Sequence, residues 1–267
     1  MATPPPAAAP VAAAAAASPV ASSPGRRAAD MQYVTLAGRN AFSCATRVPA
    51  LNAALTELNK ENVEVDWVAV AGTAWVLVYG GGRGYKGVLG KELGEKLTAV
   101  VTGGGELNCI ALAMTGGTPG VAATDEWVVV STAADGSREC SYRLSASKQA
   151  LADAATEVIE VEGGAVDTVA LAPDGGWALT WRRRDAVRSY GGARFAVATA
   201  HHEAFKASLS SCQDGVDAIA MGDGGAYAIV AGDGQCLFRG TADDVATLKK
   251  AVESVGEGGK VRCIAIA

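Results

Sequence analysis

Histidine is almost missing from this chain: His201 and His202 are the only two in 267 residues. They are adjacent, and neighbours on a helix face different directions, so the pair cannot hold one metal ion between them. The sequence also has no His-Glu metal motif, no nucleophile elbow, no phosphate loop with its Lys-Ser or Lys-Thr ending, and no CxxC pair. The turns "GDGG" at Gly222 and "GDGQ" at Gly232 are too short to be the twelve-residue calcium loop. No metal and no cofactor is therefore expected, and catalysis lacks its usual groups. There is no unbroken apolar run of about 18 residues, which excludes a transmembrane helix and argues against a membrane partner. With 23 basic and 28 acidic side chains the chain has no overall basic footprint, so nucleic acid is not an expected partner. Six cysteines are widely spaced, and several lie inside apolar strand patterns. That reads as free thiols in a reducing, cytoplasmic setting rather than a disulfide framework.

Residues 1–30 are Ala, Pro and Ser with no acid before Asp30, and nothing there can form a core. They read as a disordered low-complexity tail. The alternative is a transit segment to an organelle such as a plastid, given Arg26 and Arg27.

What the chain has in quantity is repetition. Short apolar strands begin at Val65 ("VDWVAVA"), Leu107 ("LNCIALA"), Val166 ("VDTVALA"), Val216 ("VDAIAMG") and Val261 ("VRCIAIA"), at intervals of 42, 59, 50 and 45 residues. A recurrence at about this spacing is the mark of a repeat architecture. Each of the first four is followed by a turn and a second strand led by Trp75, Trp127, Trp177 or Tyr227. A third short strand carrying a basic residue comes next, and then a helix-like stretch. The helix near Thr241 opens with a capping box, Thr241 with Asp244. The last repeat stops after its first strand. The missing half lies at the other end, where residues 31–64 supply an aromatic-led strand with Tyr33, a turn, a strand ending in Arg47, and a helix.

These observations predict an α+β repeat: a closed, propeller-like toroid of five strand-strand-strand-helix units in one domain, residues 31–267. The units are 261–267 with 31–64, then 65–106, 107–165, 166–215 and 216–260, and pairing of the C-terminal strand with the N-terminal unit closes the ring and removes open sheet edges. The aromatics at the head of each second strand are expected in the core, between sheet and helix. The stretches "MTGGTPGVAATDE" and "GGARFAVATA" are expected as surface loops or strand extensions, and "GGGRG" as a hairpin turn.

"PDGGWALTW" and "AWVLVYGGGRGY" resemble a short repeat found in bacterial proteins of uncertain role, in which a "PDGGW" turn and strand precede a Gly-containing turn and a helix. The likeness is close at Pro173–Trp177 and Trp75–Tyr85, about a third of the chain. It implies a repeat module and no particular chemistry.

Two groups are candidates for binding. Arg47, Lys86, Arg143, Arg188 and Arg239 recur near the ends of the third strands, and in a five-fold ring they would form a circle of cations. Such a circle either surrounds an anion or is neutralised by Asp66, Asp167 and Asp217. Trp181 beside Arg182, Arg183 and Arg184 is the second candidate, an aromatic face next to positive charge. The function expected from the sequence is a non-enzymatic binding or scaffolding module for a protein or a small anionic or glycan ligand. The alternatives are a five-fold small-molecule hydrolase of the guanidino type, which needs a cysteine beside a histidine, and a lectin-like or anion-binding protein.

Overall fold

The computed structural model describes residues 31–113, 126–183, 190–212, 214–256 and 259–266. Fifteen strands in these residues form five separate three-stranded antiparallel sheets. β1 (Tyr33–Ala37) and β2 (Ala41–Ala45) join the last strand, β15 (Val261–Ile266), in the order β15-β1-β2. β3 (Val65–Ala71), β4 (Ala74–Tyr79) and β5 (Gly84–Val88) form the second sheet, and β6 (Glu106–Ala113), β7 (Glu126–Thr132) and β8 (Arg138–Arg143) the third. β9 (Gly164–Leu171), β10 (Trp177–Arg183) and β11 (Tyr190–Ala196) form the fourth, and β12 (Val216–Met221), β13 (Tyr227–Ala231) and β14 (Cys236–Arg239) the fifth. The C-terminal strand does pair with the N-terminal one, from Tyr33 opposite Ile266 to Ala37 opposite Val261.

The five helices are α1 (Pro49–Lys60), α2 (Lys91–Thr102), α3 (Gln149–Thr156), α4 (Thr199–Ser211) and α5 (Ala242–Gly256). Each buries a stripe of residues three or four apart, such as Leu51, Ala54, Leu55 and Leu58 on α1, or Leu248, Ala251 and Val255 on α5. Pro49 opens α1, where its fixed φ and missing N–H do no harm. The capping box at α5 is made in both directions: Thr241 N–H donates to Asp244 Oδ2 at 3.1 Å and Asp244 N–H to Thr241 Oγ1 at 3.2 Å. The third helix differs from the sequence reading. Ala146–Lys148 is a 3₁₀ turn, α3 has only eight residues, and it runs into a π-helical turn over Glu157–Val161.

The helices pack against the sheet that follows them in sequence, α1 on β4, α2 on β6, α3 on β9 and β10, α4 on β13 through Phe205 and Tyr227, and α5 on β1, β2 and β15, while α1 also touches β2 and α5 touches β14. The first strand of each sheet also lies beside the first strand of the next: β3 beside β6, β6 beside β9, β9 beside β12, β12 beside β15, and β15 beside β3. From the third residue on, counted from Val65, Leu107, Val166, Val216 and Val261, these five strands are buried throughout, which is why they read as nearly unbroken apolar runs. On the same count their fifth residue is alanine every time, at Ala69, Ala111, Ala170, Ala220 and Ala265. All five alanines line one cavity of about 40 Å³, into which larger side chains at that position would not fit.

Trp75, Trp127, Trp177 and Tyr227 are 3–5% exposed and belong to the core, as expected, while Tyr33 is half-buried. "GGARFAVATA", expected as a surface loop or strand extension, instead supplies most of β11, the third strand of the fourth sheet. The stretch 114–125, the tail 1–30 and Ala267 lie outside the described residues.

Candidate functional site

The same irregularity occurs in every sheet. Counted from Val65, Leu107, Val166, Val216 and Val261, the second residue of each first strand has no partner in the ladder, because the register skips it. Val65 and Trp67 face Tyr79 and Val78, so Asp66 is left out. The same holds for Asn108 in β6, Asp167 in β9, Asp217 in β12 and Arg262 in β15. A β-bulge re-aims its extra side chain away from the pleat. At this end of the first strands lies an open basin of about 740 Å³. Asp66, Asn108, Asp217 and Arg262 line it, with Gly38, Arg39, Glu64, Trp67 and Lys260.

Charges around the basin bridge one sheet to the next. Arg262 donates to Glu64 Oε1 at 2.7 Å and to the Val65 carbonyl at 2.9 Å. Arg138 repeats that pattern one sheet pair further on, reaching Asp167 Oδ1 at 2.7 Å and the Val166 carbonyl at 2.9 Å. Arg83 pairs with Glu106 at 2.9 Å, and Lys260 pairs with Asp217 at 2.8 Å and also meets the Gly232 carbonyl. Arg182 adds a second cation to Asp167 at 2.9 Å. Burial pushes the Asp167 carboxyl above its usual range even so, against the pull of Arg182 and Arg138. Asp66 is held by backbone instead, accepting N–H bonds from Gly81 at 2.7 Å and Gly82 at 3.0 Å. This accounts for the glycine run in "YGGGRG". Gly80, Gly81 and Gly82 all have left-handed φ between 67° and 79°, and the Gly82 carbonyl accepts the Leu107 N–H of the next sheet at 2.8 Å. The run is a hairpin turn, not a phosphate loop.

One residue further along, the third-position side chains tie the first strands together. Trp67 Nε1–H donates to the Ile110 carbonyl at 2.8 Å, Thr168 Oγ1–H to Asp217 O at 3.3 Å, and the thiols of Cys109 and Cys263 point at the carbonyls of Val169 and Val68 at 3.6 and 3.8 Å. Ala218, the fifth member, has no group to donate.

Of the candidate cations from the sequence, Lys86 and Arg143 pair with acids on helices. Both stand on third strands, the outermost in their sheets, and their helix partners lie away from the basin. Lys86 on β5 pairs with Glu57 on α1 at 2.5 Å, and Arg143 on β8 with Glu92 on α2 at 2.7 Å. Neither meets Asp66, Asp167 or Asp217. In the fourth sheet that kind of pairing belongs to Arg194 on β11, with Glu157 at 3.0 Å and also with Glu162. Sequence reading placed Arg188 on this strand; β11 begins at Tyr190, and Arg188 lies outside the described residues, as does Arg184. Arg239 is half-buried and opposite Tyr227 in the ladder, and Arg47 follows β2, its N–H bonded to Gln32 Oε1 at 3.0 Å. Trp181 is not an open aromatic face. The backbones of Gly164, Gly191 and Gly192 sit against its ring, and Arg194 stands over it at 5.7 Å. Of that candidate group Arg182 reaches the basin's ion pairs and Arg183 is exposed.

The bulge residues carry the site, and sequence reading weighed the three aspartates only as neutralising partners. The signal was available: a polar residue at the second position of five otherwise apolar strands.

The cysteine-histidine contact that a guanidino-type hydrolase needs is not made among the described residues. No hydrogen bond joins a cysteine to either histidine there. Cys109 and Cys263, next along the chain from bulge residues, are 1% and 0% exposed, and burial pushes the Cys263 thiol up to about 12 and Cys109 higher still. Comparison of the chain with protein-family models, curated proteins and solved structures finds no match.

Proposed function

We propose that the five sheets close into a toroid around the small alanine-lined cavity, and that the chain is a non-enzymatic binding module whose ligand sits in the basin at the bulge end. Closure is supported by the unbroken succession of first strands from β3 round to β15 and back. The observation that carries the site is the recurrence of the bulge in all five sheets, each turning a polar side chain out of an apolar strand. A regular ladder would be more stable, so five bulges at one level are best understood through what they present. The basin offers carboxylate and amide acceptors in Asp66, Asn108 and Asp217, and cations in Arg39, Lys260 and Arg262. A small hydroxylated anion, such as a sugar acid or sugar phosphate, matches both: its hydroxyls meet the acceptors and its acid group meets the cations.

The test is calorimetric titration with a panel of sugar phosphates and sugar acids, with neutral sugars and inorganic phosphate as controls. A saturable heat is expected for a hydroxylated anion, lost in Asp217→Asn/Lys260→Gln, a double change that keeps net charge constant. A native protein that shows no saturable heat with any panel member at millimolar concentration would overturn the reading.

A further inference from the structure

A second cavity of about 740 Å³ lies on the outside of the fourth sheet, between α3 and α4. Its floor is apolar, made of Trp177 and Leu209, each 5% exposed, together with Phe195. It follows a seam in the core. Trp177 and the inner face of α3 belong to one apolar cluster, and Phe205 and Leu209 of α4, with Phe195 packed on them, belong to another. Small residues keep the seam open, since Ala150 and Ala154 face it from α3 and Ala193 from β11.

The two walls carry opposite chemistry. Asp153 and Glu157 stand four residues apart on the α3 side, and His202, Lys206 and Ser210 stand at the same spacing along α4. Residues four apart share a helix face, so each wall presents its groups together. Among the described residues no ion pair crosses between the walls. Glu157 is turned to Arg194 at 3.0 Å, Asp153 accepts only from Gln149 of its own helix at 3.0 Å, and no acid pairs with Lys206. The cavity is thus an apolar slot of a size suited to small ligands, with an acidic and a donor-rich wall held apart.

We infer that this cleft binds a short apolar peptide with free termini. Its ammonium terminus meets Asp153, beside the Glu157–Arg194 pair, its carboxylate meets Lys206 with His202 and Ser210, and its side chains cover Trp177, Phe195 and Leu209. The two ends of a dipeptide are charged oppositely and separated by an apolar body, which is the order of groups across the slot. The site is separate from the basin and its ligand is independent of the basin's.

The experiment is calorimetric titration of the full chain with the dipeptide Leu-Phe, its N-acetyl form and its C-terminal amide. The free dipeptide is expected to bind saturably, and removal of either charge to weaken it by about tenfold. Lys206→Glu and Asp153→Lys, both at exposed positions, should each weaken the free dipeptide, and the double swap should restore binding with the peptide reversed. All three variants should leave titrations at the basin unchanged. No saturable heat with Leu-Phe at millimolar concentration would overturn the inference. So would equal affinity for all three peptides, or binding unaffected by the wall variants.

Discussion

The Glu126–Lys148 ion pair, in which both side chains are 1% exposed, should be the most sensitive single contact in the chain. Glu126 begins β7 and Lys148 ends the 3₁₀ turn ahead of α3. The carboxylate also accepts the Ser145 N–H at 2.9 Å and the Ser145 hydroxyl, so it caps the helical segment and anchors it to the sheet. Removing one partner strands a charge in the core. Lys148→Met or Glu126→Gln should each cost about 3–5 kcal/mol, the usual loss when a buried pair is broken. Replacing both, as Glu126→Leu/Lys148→Met, removes the stranded charge and leaves chiefly the lost cap, about 0.5–2 kcal/mol. The double variant should therefore be more stable than either single one. At about 2–4 °C per kcal/mol for a domain of this size, the singles should melt roughly 6–20 °C below the native chain. Urea denaturation followed by the fluorescence of the buried tryptophans measures all four corners of the cycle.

The pH dependence has a definite sign. Burial alone would raise the Glu126 carboxyl, but Lys148 and Ser145 hold it below its usual value. Its contribution is then complete above the ordinary carboxylate value near 4.3 and is lost as pH falls through the lower native value. Glu126→Gln should flatten the acid limb of the stability curve. If each single change costs under about 1 kcal/mol and the double is their sum, the pair does not act as a buried, coupled unit and the reasoning fails.

Three further outcomes are expected. Deleting 261–267 removes Val261, Ile264 and Ile266 from the core, roughly 5–9 kcal/mol of burial at about 1.5–3 kcal/mol each, and strips one neighbour from each of β1, β3 and β12; the truncated chain should lose its urea transition, and an unchanged midpoint would contradict the strand pairing. Gly80→Ala meets only backbone strain of about 1–2 kcal/mol, since nothing lies near its Cβ, whereas a Cβ at Gly82 would lie 2.5 Å from the Leu107 carbonyl oxygen, so the urea midpoint should fall much further for Gly82→Ala than for Gly80→Ala. Burial holds Cys263 at about 12, Cys140 at about 12 and Cys236 at about 11, so above the ordinary thiol value the native state keeps protons that the unfolded chain has released. Stability should then fall as pH rises, by about 1.4 kcal/mol per pH unit for the fully buried Cys263 alone, and Cys263→Val should show a shallower alkaline slope in urea titrations at pH 8 to 10.

Much of this architecture is written in the chain, because strand and helix periodicities are local properties. The recurrence of "VDTVALA" and its echoes, the aromatic that heads each second strand, and the orphaned strand at Val261 with its complement after residue 30 set out five units and the pairing of β15 with β1 before any coordinate is consulted. The invariant alanine at the fifth position is equally legible. Its reason is not, since only the convergence of five strands on one cavity makes a larger side chain impossible there. Charge pairing was the least legible feature. Lys86 and Arg143 look like members of one set with Arg188 and Arg239, yet each finds the nearest acid on the preceding helix, and sequence offers no measure of that distance. The bulges are a tertiary matter as well. A one-residue skip leaves no mark in composition, but it turns Asp66, Asn108, Asp167, Asp217 and Arg262 out of the ladder. The α3–α4 cleft depends on two helices remote in sequence facing one gap, with alanines of α3 and β11 lining it. Local pattern determined what each segment of this protein becomes, and the packing of distant segments decided which of their polar groups meet.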